Sequence, residues 1–176
     1  MLVHLRRAIL VSLVFFVILG LAYPLVETGI GQAFFHHAAN GSLTANGSTR
    51  VGQKWTGPQW FQGRPDGFDP MATGGSNLGP RSKVLVNTVA KQVAQLKKEG
   101  IMPTPGLVTS SGSGIDPGIS PVDAYAQVDA VAAANHLPAA AVRHLVDTHI
   151  TGREYGFLGS PFVNVLSLNE ALAKLQ

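Results

Sequence analysis

The sequence predicts a single N-terminal transmembrane helix followed by one mixed α/β extracytoplasmic domain with a small sheet and several helices. Residues 8–26 are apolar and uncharged, and the later chain combines helix-spaced apolar positions with short apolar runs. The 176 residues leave room for one domain of ordinary size after the apolar segment. We therefore divide the chain into a cytoplasmic N-terminus (1–7), a transmembrane anchor (8–26) and an extracytoplasmic domain (27–176).

The anchor segment reads AILVSLVFFVILGLAYPLV, with Ser12 as its only clearly polar side chain. A helix of this length covers roughly 28 Å, close to the hydrocarbon core of a bilayer at about 30 Å. A cleaved signal peptide is the alternative, because two arginines precede the segment and small residues stand near its end. The apolar stretch is longer than a usual signal sequence, so we expect a retained anchor.

Charges at the two ends of this segment predict its orientation. Arg6 and Arg7 precede it and Glu27 follows it, so the positive-inside rule places the N-terminus in the cytoplasm and the domain outside. A single span cannot shield a conduction path from lipid. Any transport role therefore has to be that of a single-pass member of a larger complex.

Composition excludes several classes of function. The formal charge is +3, but removing Arg6 and Arg7 from the thirteen basic residues leaves eleven against ten acidic ones. Nucleic-acid binders usually carry a basic stripe, whereas here the basic residues are scattered and only Lys97 and Lys98 are adjacent. We expect no nucleic-acid partner. The absence of cysteine excludes disulfides, thiolate metal sites and a thiol nucleophile.

After the anchor, the pattern predicts a long loop region and then helices. Residues 28–82 are rich in Gly, Asn, Ser, Pro and aromatics, which indicates mostly ordered loop. Apolar positions between Val84 and Glu99 recur at helical spacing, with Ser82 near the start and Gly100 after the end. This region is predicted to be one amphipathic helix.

Three further helices and two strands follow. Ser120 as N-cap, with Asp123 at the capping-box position, predicts one helix, and another begins near Pro138. Ser167 is the predicted cap of the last helix. Short apolar runs predict strands at 106–109 and 162–166.

One serine invites a catalytic interpretation. Ser113 lies between glycines after a predicted strand, but a hydrolase elbow needs glycine two residues earlier, where this chain has Ser111. A tight turn closed by Asp116 explains the segment better. A membrane-anchored envelope serine hydrolase using Ser113, Asp116 and His149 is the alternative function.

Other polar motifs give weaker indications. The loop at 74–80 resembles an anion-binding loop but lacks the Lys-Ser/Thr ending, so we interpret it as a structured turn. His144 and His149 are five residues apart, and His36 and His37 are adjacent, so neither pair has the spacing of a zinc-binding helix. We predict no metal site and no catalytic residue.

Two arginines sit in glycine-containing loops. Arg64 follows Gly63, and Arg153 follows Gly152. Arginine in such loops commonly braces backbone carbonyls or acidic groups, and contact with a partner subunit is the competing interpretation.

An ordered set of short motifs spans nearly the whole chain. The set is Tyr23-Pro24-Leu25, Thr28-Gly29-Ile30, Ala39-Asn40-Gly41-Ser42-Leu43, Gly52-Gln53, Gly63-Arg64-Pro65, Gly74-Gly75-Ser76-Asn77-Leu78-Gly79-Pro80, Ser111-Gly112-Ser113-Gly114-Ile115-Asp116-Pro117, Ile119-Ser120-Pro121, Gly152-Arg153 and Val163-Asn164-Val165-Leu166. In this order, after one anchor helix, the motifs resemble the KdpC family of the Kdp potassium-transporting P-type ATPase complex. Residues 66–69 and 81–83 look less typical of that family.

The resemblance implies a non-catalytic accessory subunit of an ATP-driven potassium uptake complex in the bacterial inner membrane. Its implied partners are a channel-like potassium-translocating subunit, a P-type ATPase subunit, and a small membrane peptide. It also implies a catalytic chaperone that raises the ATP affinity of the pump's ATPase, with Gln127 as a nucleotide contact and no firmly bound cofactor. Consistent with this, the chain has neither an Asp-Lys-Thr-Gly-Thr phosphorylation motif nor a potassium-filter sequence.

The predicted topology conflicts with direct nucleotide contact, because ATP is cytoplasmic and Gln127 is expected outside. We therefore interpret Gln127 as part of a solvated helix face, and expect coupling to ATP to run through the membrane helix and complex assembly. The external domain is expected to cap the potassium entrance. The candidate partner contacts are Tyr23, Pro24, Arg64, Asn77 and Arg153.

Overall fold

The computed structural model describes residues 1–175 and divides the chain into two units. The first unit is Met1–Ser42, and the second begins at Leu43. The predicted fold class is confirmed, since one long apolar helix precedes a domain of helices and two small sheets.

The N-terminal unit is a continuous helix of 33 residues, Leu2–Phe34, followed by a short turn of helix. Among the described residues it is the one helix long and apolar enough to cross a membrane, and none of its spanning window is buried by the chain. The helix runs past residue 28, so the prediction of loop from there is wrong as far as residue 39. Its segments are α1 (Leu2–Phe15), a π-helical stretch (Phe16–Ala22), α2 (Tyr23–Phe34) and α3 (His36–Ala39).

The π-helical stretch has a local cause in Pro24. Proline lacks an N–H and its ring conflicts with the carbonyl four residues earlier, here that of Gly20. The wider i→i+5 turn immediately ahead of Pro24 relieves that conflict without ending the helix. The Thr28 hydroxyl donates to the Pro24 carbonyl at 2.7 Å, which supports the turn after the proline.

The domain from Leu43 onward contains two antiparallel sheets. One is a two-stranded hairpin, and the other has three strands in the order β3-β5-β4, with Val163 of the central strand opposite both Ile119 and Ile150. The elements in chain order are β1 (Leu43–Thr44), β2 (Gly47–Ser48), α4 (Lys83–Lys98), α5 (Pro105–Val108), β3 (Gly118–Ile119), α6 (Pro121–Tyr125), α7 (Val128–Ala134), α8 (Ala139–Thr148), β4 (Ile150–Thr151), β5 (Phe162–Asn164) and α9 (Val165–Leu172).

The core is formed by buried side chains of β3, β5 and α4 to α9, together with Phe61 and Ile101 from the loops. Alternation on β5 buries Val163 while its neighbours are partly or fully exposed, as a half-buried strand requires. The largest fully buried side chains of the domain are Phe61, Leu96, Ile101, Leu107, Leu168, Leu172, Gln127, Val128, Val131, Val142, Val146 and Val163.

The predicted helix starts at Ser82, Ser120 and Pro138 are confirmed, since these residues are the N-caps of α4, α6 and α8. Ser82 caps α4 by accepting the N–H of Leu85, and Ser120 forms a capping box with Asp123 at the start of α6. The helix from Pro121 ends at Tyr125, and a separate helix, α7, begins at Val128.

The strand predicted at 106–109 is wrong. The structure has a single helical turn, α5, in which Pro105 occupies the first position and the Leu107 N–H bonds the Thr104 carbonyl at 3.1 Å. Proline fixes a φ that suits a helix start, and only Leu107 is buried there. An apolar run of this length does not distinguish a strand from a buried helical turn.

The strand predicted at 162–166 is present but ends at Asn164. The Asn164 side chain accepts the Ser167 N–H at 3.1 Å, so Asn164 is the N-cap of α9 and the prediction of Ser167 as cap is wrong. Asparagine is among the strongest N-cap residues, and it starts the helix three positions earlier.

Candidate functional site

The glycine-rich motifs of the domain meet at one loop, residues 109–117, which we call the central loop. Main-chain N–H groups of three other segments donate to its carbonyls, namely Gly52 to Ile115 (2.8 Å), Phe68 to Gly114 (3.0 Å) and Gly74 to Ser113 (2.7 Å). Short motifs that are far apart in sequence therefore form one connected feature. Such loops on a rigid scaffold are common places for function.

Two glycines of this feature are required by close backbone contacts. A Cβ on Gly52 would lie 2.5 Å from the carbonyl oxygen of Asp116. Gly114 has a φ of +72°, and a Cβ there would lie 2.8 Å from the carbonyl oxygen of Gly74. Only glycine combines the positive φ with this approach of two main chains.

Arg64 braces the central loop from the side. Its Nε donates to the Thr109 carbonyl at 3.2 Å, and its Nη2 donates to the Ser110 carbonyl at 3.0 Å and to the Thr109 hydroxyl at 3.3 Å. The interpretation of Arg64 as a brace for backbone carbonyls is confirmed. Its contact with a partner subunit stays a prediction.

Asp66 holds the other half of the central loop, and the sequence reasoning missed it. Its carboxylate accepts the Ser111 N–H at 2.7 Å, the Ser111 hydroxyl at 2.6 Å and the Asp116 N–H at 3.0 Å. Hydrogen bonds to a charged acceptor are stronger than neutral ones. The only sequence signal was a carboxylate two residues after Arg64, in a segment that looked atypical of the family.

The three residues of the hydrolase alternative are not joined. Ser113 Oγ accepts the Ile115 N–H at 3.2 Å and lies 3.2 Å from Ser111 Oγ, whereas the His149 ring bonds the Leu145 carbonyl through Nδ1 at 2.8 Å. In the described part of the chain no hydrogen bond links Ser113, Asp116 and His149, although an activated serine needs its base within reach. The hydrolase alternative is not supported.

The Asx turn predicted at Asp116 is confirmed. Its carboxylate accepts the Gly118 N–H at 2.9 Å, which leads the chain from the central loop into β3. Asp116 therefore has a local structural partner.

Gln127 is buried, and the prediction that it lies on a solvated helix face is wrong. Its side chain has no exposed surface. Oε1 accepts the Gln62 N–H at 2.8 Å, and Nε2 donates to the carbonyls of Gln62 at 3.0 Å and Asp123 at 3.2 Å. The break between α6 and α7 places this amide beside the main chain of Gln62. A primary amide carries both a donor and an acceptor, so it satisfies the N–H and the carbonyl of that residue together.

Two other amides act on the same segment. Asn169 exchanges hydrogen bonds with Phe61 in the same manner, and the Asn135 Nδ2 donates to the Gln59 carbonyl at 2.8 Å. We call Gln127, Asn135 and Asn169 the amide clamp, and the segment that they hold is 59–62. The sequence pattern did not reveal the clamp, because amides on helices usually face solvent.

The remaining candidate partner contacts are exposed. Tyr23 and Pro24 lie on the N-terminal helix, Asn77 has a φ of +52° in the loop before α4, and Arg153 follows β4. Within the domain, no hydrogen bond in the described residues joins any two of Arg64, Asn77 and Arg153. The structure therefore does not gather them into one site.

Arg64 borders two clefts of the domain, with volumes of about 460 Å³ and 420 Å³. The larger is lined also by Trp55, Phe68 and Glu99, and the smaller by Asp116 and residues of β3 and β5. Among the described residues, no group of three histidine, aspartate or glutamate side chains is placed to hold a metal ion. Arg64 therefore braces a loop, and the two clefts that it borders are surfaces at which another molecule could make contact.

The family model for the K⁺-transporting ATPase c chain, KdpC, matches residues 5–174 of this chain. The chain is 47% identical to the potassium-transporting ATPase KdpC subunit of Sorangium cellulosum, over 98% of both chains. It is 45% identical to the protein of that name in Gemmatimonas aurantiaca, over 99% of this chain and 94% of the relative, and 43% identical to that of Acidobacterium capsulatum, over 98% of both.

These matches cover nearly the whole chain, the apolar helix and the domain together. The similarity therefore extends to both units and confirms the resemblance that the short motifs indicated. Potassium transport by a membrane-bound complex, in which this chain contributes one helix and a domain, accounts for the long N-terminal helix. The chain belongs to the KdpC family, the c chains of the K⁺-transporting ATPase.

Proposed function

We propose that this chain is a non-catalytic accessory subunit that is needed for assembly of the pump and tunes its ATP affinity. The observation that carries the proposal is that residues 1–175 contain one helix long and apolar enough to cross a membrane, because one helix cannot enclose an ion path. The central loop supports it, since Arg64 and Asp66 are engaged in bracing main chain and Ser113 Oγ bonds a main-chain N–H and another serine. Conduction and ATP hydrolysis then belong to partner subunits.

The partners in this proposal are the channel-like potassium-translocating subunit, the P-type ATPase subunit, and a small membrane peptide. The relatives are named as subunits of a potassium-transporting ATPase, and that name supports membership of such a complex. We place the domain on the outer side of the bacterial inner membrane, because Arg6 and Arg7 precede the helix and Glu27 lies in its later part. There it caps the potassium entrance.

An effect on ATP affinity needs a physical route from this chain to the pump's ATPase. Direct contact through Gln127 would require its three hydrogen bonds to open, because the side chain is fully buried. The proposed route is differential contact of the membrane helix with two states of the pump, which shifts their populations and so the apparent ATP affinity. ATP is then bound by the ATPase partner.

Deleting the chain tests the assembly role. We expect that the ATPase and channel-like subunits no longer copurify as an active complex from cells that lack this chain, and that potassium uptake at low external potassium is lost. Restoring the intact chain is the control. A complex that assembles and transports normally without the chain would refute the proposal.

Limited proteolysis tests the orientation separately. Exposed loops such as residues 69–80 should be cleaved when protease is added to spheroplasts and protected in inverted vesicles. A cytoplasmic marker protein, resistant in spheroplasts, controls for membrane integrity. Cleavage of the domain in inverted vesicles alone would place it in the cytoplasm.

A further inference from the structure

The helix α4 carries an unusual concentration of positive charge. Five of the thirteen lysines and arginines lie between residues 81 and 98, and that stretch contains no acidic residue. All five are exposed to solvent. We call them the basic face, which consists of Lys83, Lys91, Lys97 and Lys98 on α4 and of Arg81, two residues before the helix begins.

Helical geometry brings charges that are scattered in the sequence onto one side. At about 100° per residue, Lys83, Lys91 and Lys98 fall within roughly 80° of one another, over about 22 Å of helix. Leu96, the buried residue of α4, lies on the opposite side with the half-buried Leu85. Lys83, Lys91 and Lys98 therefore point away from the core of their own domain.

Nothing in the described chain neutralises these charges. No hydrogen bond or ion pair joins any of the five side chains to a residue between 1 and 175. Glu99, the nearest acidic residue in sequence, has its two carboxylate oxygens bonded to the side-chain amides of Gln62 and Gln95. An acceptor for the basic face has to come from another molecule.

The stability of the helix does not explain the distribution either. Cations in the last turn, here Lys97 and Lys98, interact favourably with the helix dipole. Arg81 and Lys83 stand at the opposite end, where the dipole is positive and disfavours cations. Their presence at the unfavourable end indicates a role outside the helix.

The side chains around the lysines suit a flat, charged partner. Asn87, Ala90 and Ala94 lie between the lysines on the same side and are short and exposed, so the longer ammonium groups project beyond them. Val84 and Val86 flank the face with 62% and 57% of their surface exposed. Lysines beside exposed aliphatic groups are typical of helices that lie at a bilayer surface.

We propose that the basic face of α4 binds the anionic phospholipid headgroups of the membrane in which the chain is anchored. The charge complementarity is direct, because phosphate groups attract clustered lysine and arginine at close range. The N-terminal helix ties the domain to that surface, so the effective lipid concentration is high. The inference goes beyond the proposed function and holds on either side of the membrane.

The absence of cysteine allows a site-specific test on the full-length chain. Asn87→Cys places one thiol on the basic face, and Ala133→Cys places one at an exposed position of α7, a helix that contains no lysine or arginine. Each variant is labelled with a polarity-sensitive fluorophore and reconstituted alone into vesicles of phosphatidylcholine, with or without phosphatidylglycerol.

We expect a blue shift of the Asn87→Cys emission, and quenching by headgroup spin labels, only with phosphatidylglycerol. Both effects should disappear at high salt. The Ala133→Cys probe should not respond. Replacing Lys83, Lys91 and Lys98 together by glutamine should abolish the response, while circular dichroism shows an unchanged fold because the three side chains are exposed.

Three outcomes would overturn the proposal. The Asn87→Cys probe could fail to respond to phosphatidylglycerol, or its response could survive the triple glutamine replacement in a folded chain. A response in phosphatidylcholine without phosphatidylglycerol, seen only in a second reconstitution that includes the other pump subunits, would identify an acidic protein surface as the occupant instead. Because the first two outcomes are measured on the chain reconstituted alone, a failure of the assembly role does not affect them.

Discussion

The side-chain amide of Asn169 and the main chain of Phe61 exchange two hydrogen bonds, each with an N···O distance of 2.9 Å. Both residues are completely buried. The contact joins the loop region before α4 to the last helix, which lies 108 residues later in the chain. The two hydrogen bonds resemble the pair that joins two strands of a sheet, except that one partner is a side-chain amide.

Replacing Asn169 by alanine should destabilise the domain by roughly 3 kcal/mol, because a buried N–H and a buried carbonyl lose their partners together. The unfolding of the full-length chain in detergent micelles measures the effect. The two tryptophans, with ring centroids 5.1 Å apart, report on this region by fluorescence. The exposed Asn87→Ala is the matched control and should change stability by less than about 0.5 kcal/mol.

Gln127→Ala should lower the free energy of unfolding by about 2 kcal/mol in the absence of any nucleotide. The reason is that the main-chain N–H and carbonyl of Gln62 both lose the Gln127 side-chain amide as their partner. In the purified pump, Gln127→Ala and Asn169→Ala should then have similar effects on ATP affinity, because both loosen the amide clamp. A large loss of ATP affinity with Gln127→Ala alone, in a chain of normal stability, would show that this glutamine contacts nucleotide.

Gly106→Ala should destabilise the domain by about 1–3 kcal/mol. A Cβ at this position would collide with the Asp123 carboxylate, which is itself held by Ser120 and Thr104 and is nearly buried. Denaturant unfolding measures the change. Gly67→Ala is the control, since a Cβ there would meet nothing within 4 Å, and equal stability of the two variants would contradict the prediction.

The contact of Glu170 with the β1–β2 hairpin should weaken in acid. Hydrogen bonds from the Thr44 hydroxyl and the Asn46 amide lower the pKa of this carboxyl below its ordinary value. A lowered folded-state pKa means that the stabilisation is complete above the unfolded value of about 4.3 and is lost as the pH falls through the folded pKa.

The pH dependence of the unfolding midpoint measures this effect. The intact chain should lose more stability between about pH 6 and pH 3 than Glu170→Gln does, because the variant has no carboxyl to protonate. Glu154→Gln, which removes an exposed carboxyl from the loop after β4, is the control and should retain the dependence of the intact chain. Identical profiles for the intact chain and Glu170→Gln would contradict the assignment.

Features that depend on a few neighbouring residues could be predicted from the sequence. The cap at Ser82, the capping box of Ser120 and Asp123, and the Asx turn at Asp116 each connect residues no more than three apart. The apolar helix could be predicted for a similar reason, because nearly every residue in its membrane-crossing part is apolar. Interactions between residues that are close in sequence can therefore be predicted from the order of the residues.

The amide clamp and Asp66 could not be predicted, because their partners are distant in sequence. Gln127 bonds a main chain 65 residues away, and Asp66 bonds the central loop 45 residues away. A polar side chain on a helix can face solvent or bond a buried loop, and only the tertiary structure distinguishes the two. The basic face of α4 is likewise not visible in a count of charges along the chain, because the helical turn brings residues 83, 91 and 98 to one side.

The N-terminal helix continues as one rod for 33 residues, or about 50 Å, whereas the hydrocarbon core is only about 30 Å thick. A flexible linker would absorb any twist between lipid and solvent, but a hydrogen-bonded helix is stiff in torsion. We therefore expect rotation or axial displacement imposed by neighbouring membrane helices to be transmitted along this helix to residues beyond the hydrocarbon core. The anchor would then transmit torsion as well as hold the chain in the membrane, and the π-helical section Phe16–Ala22 is where its helical pitch changes.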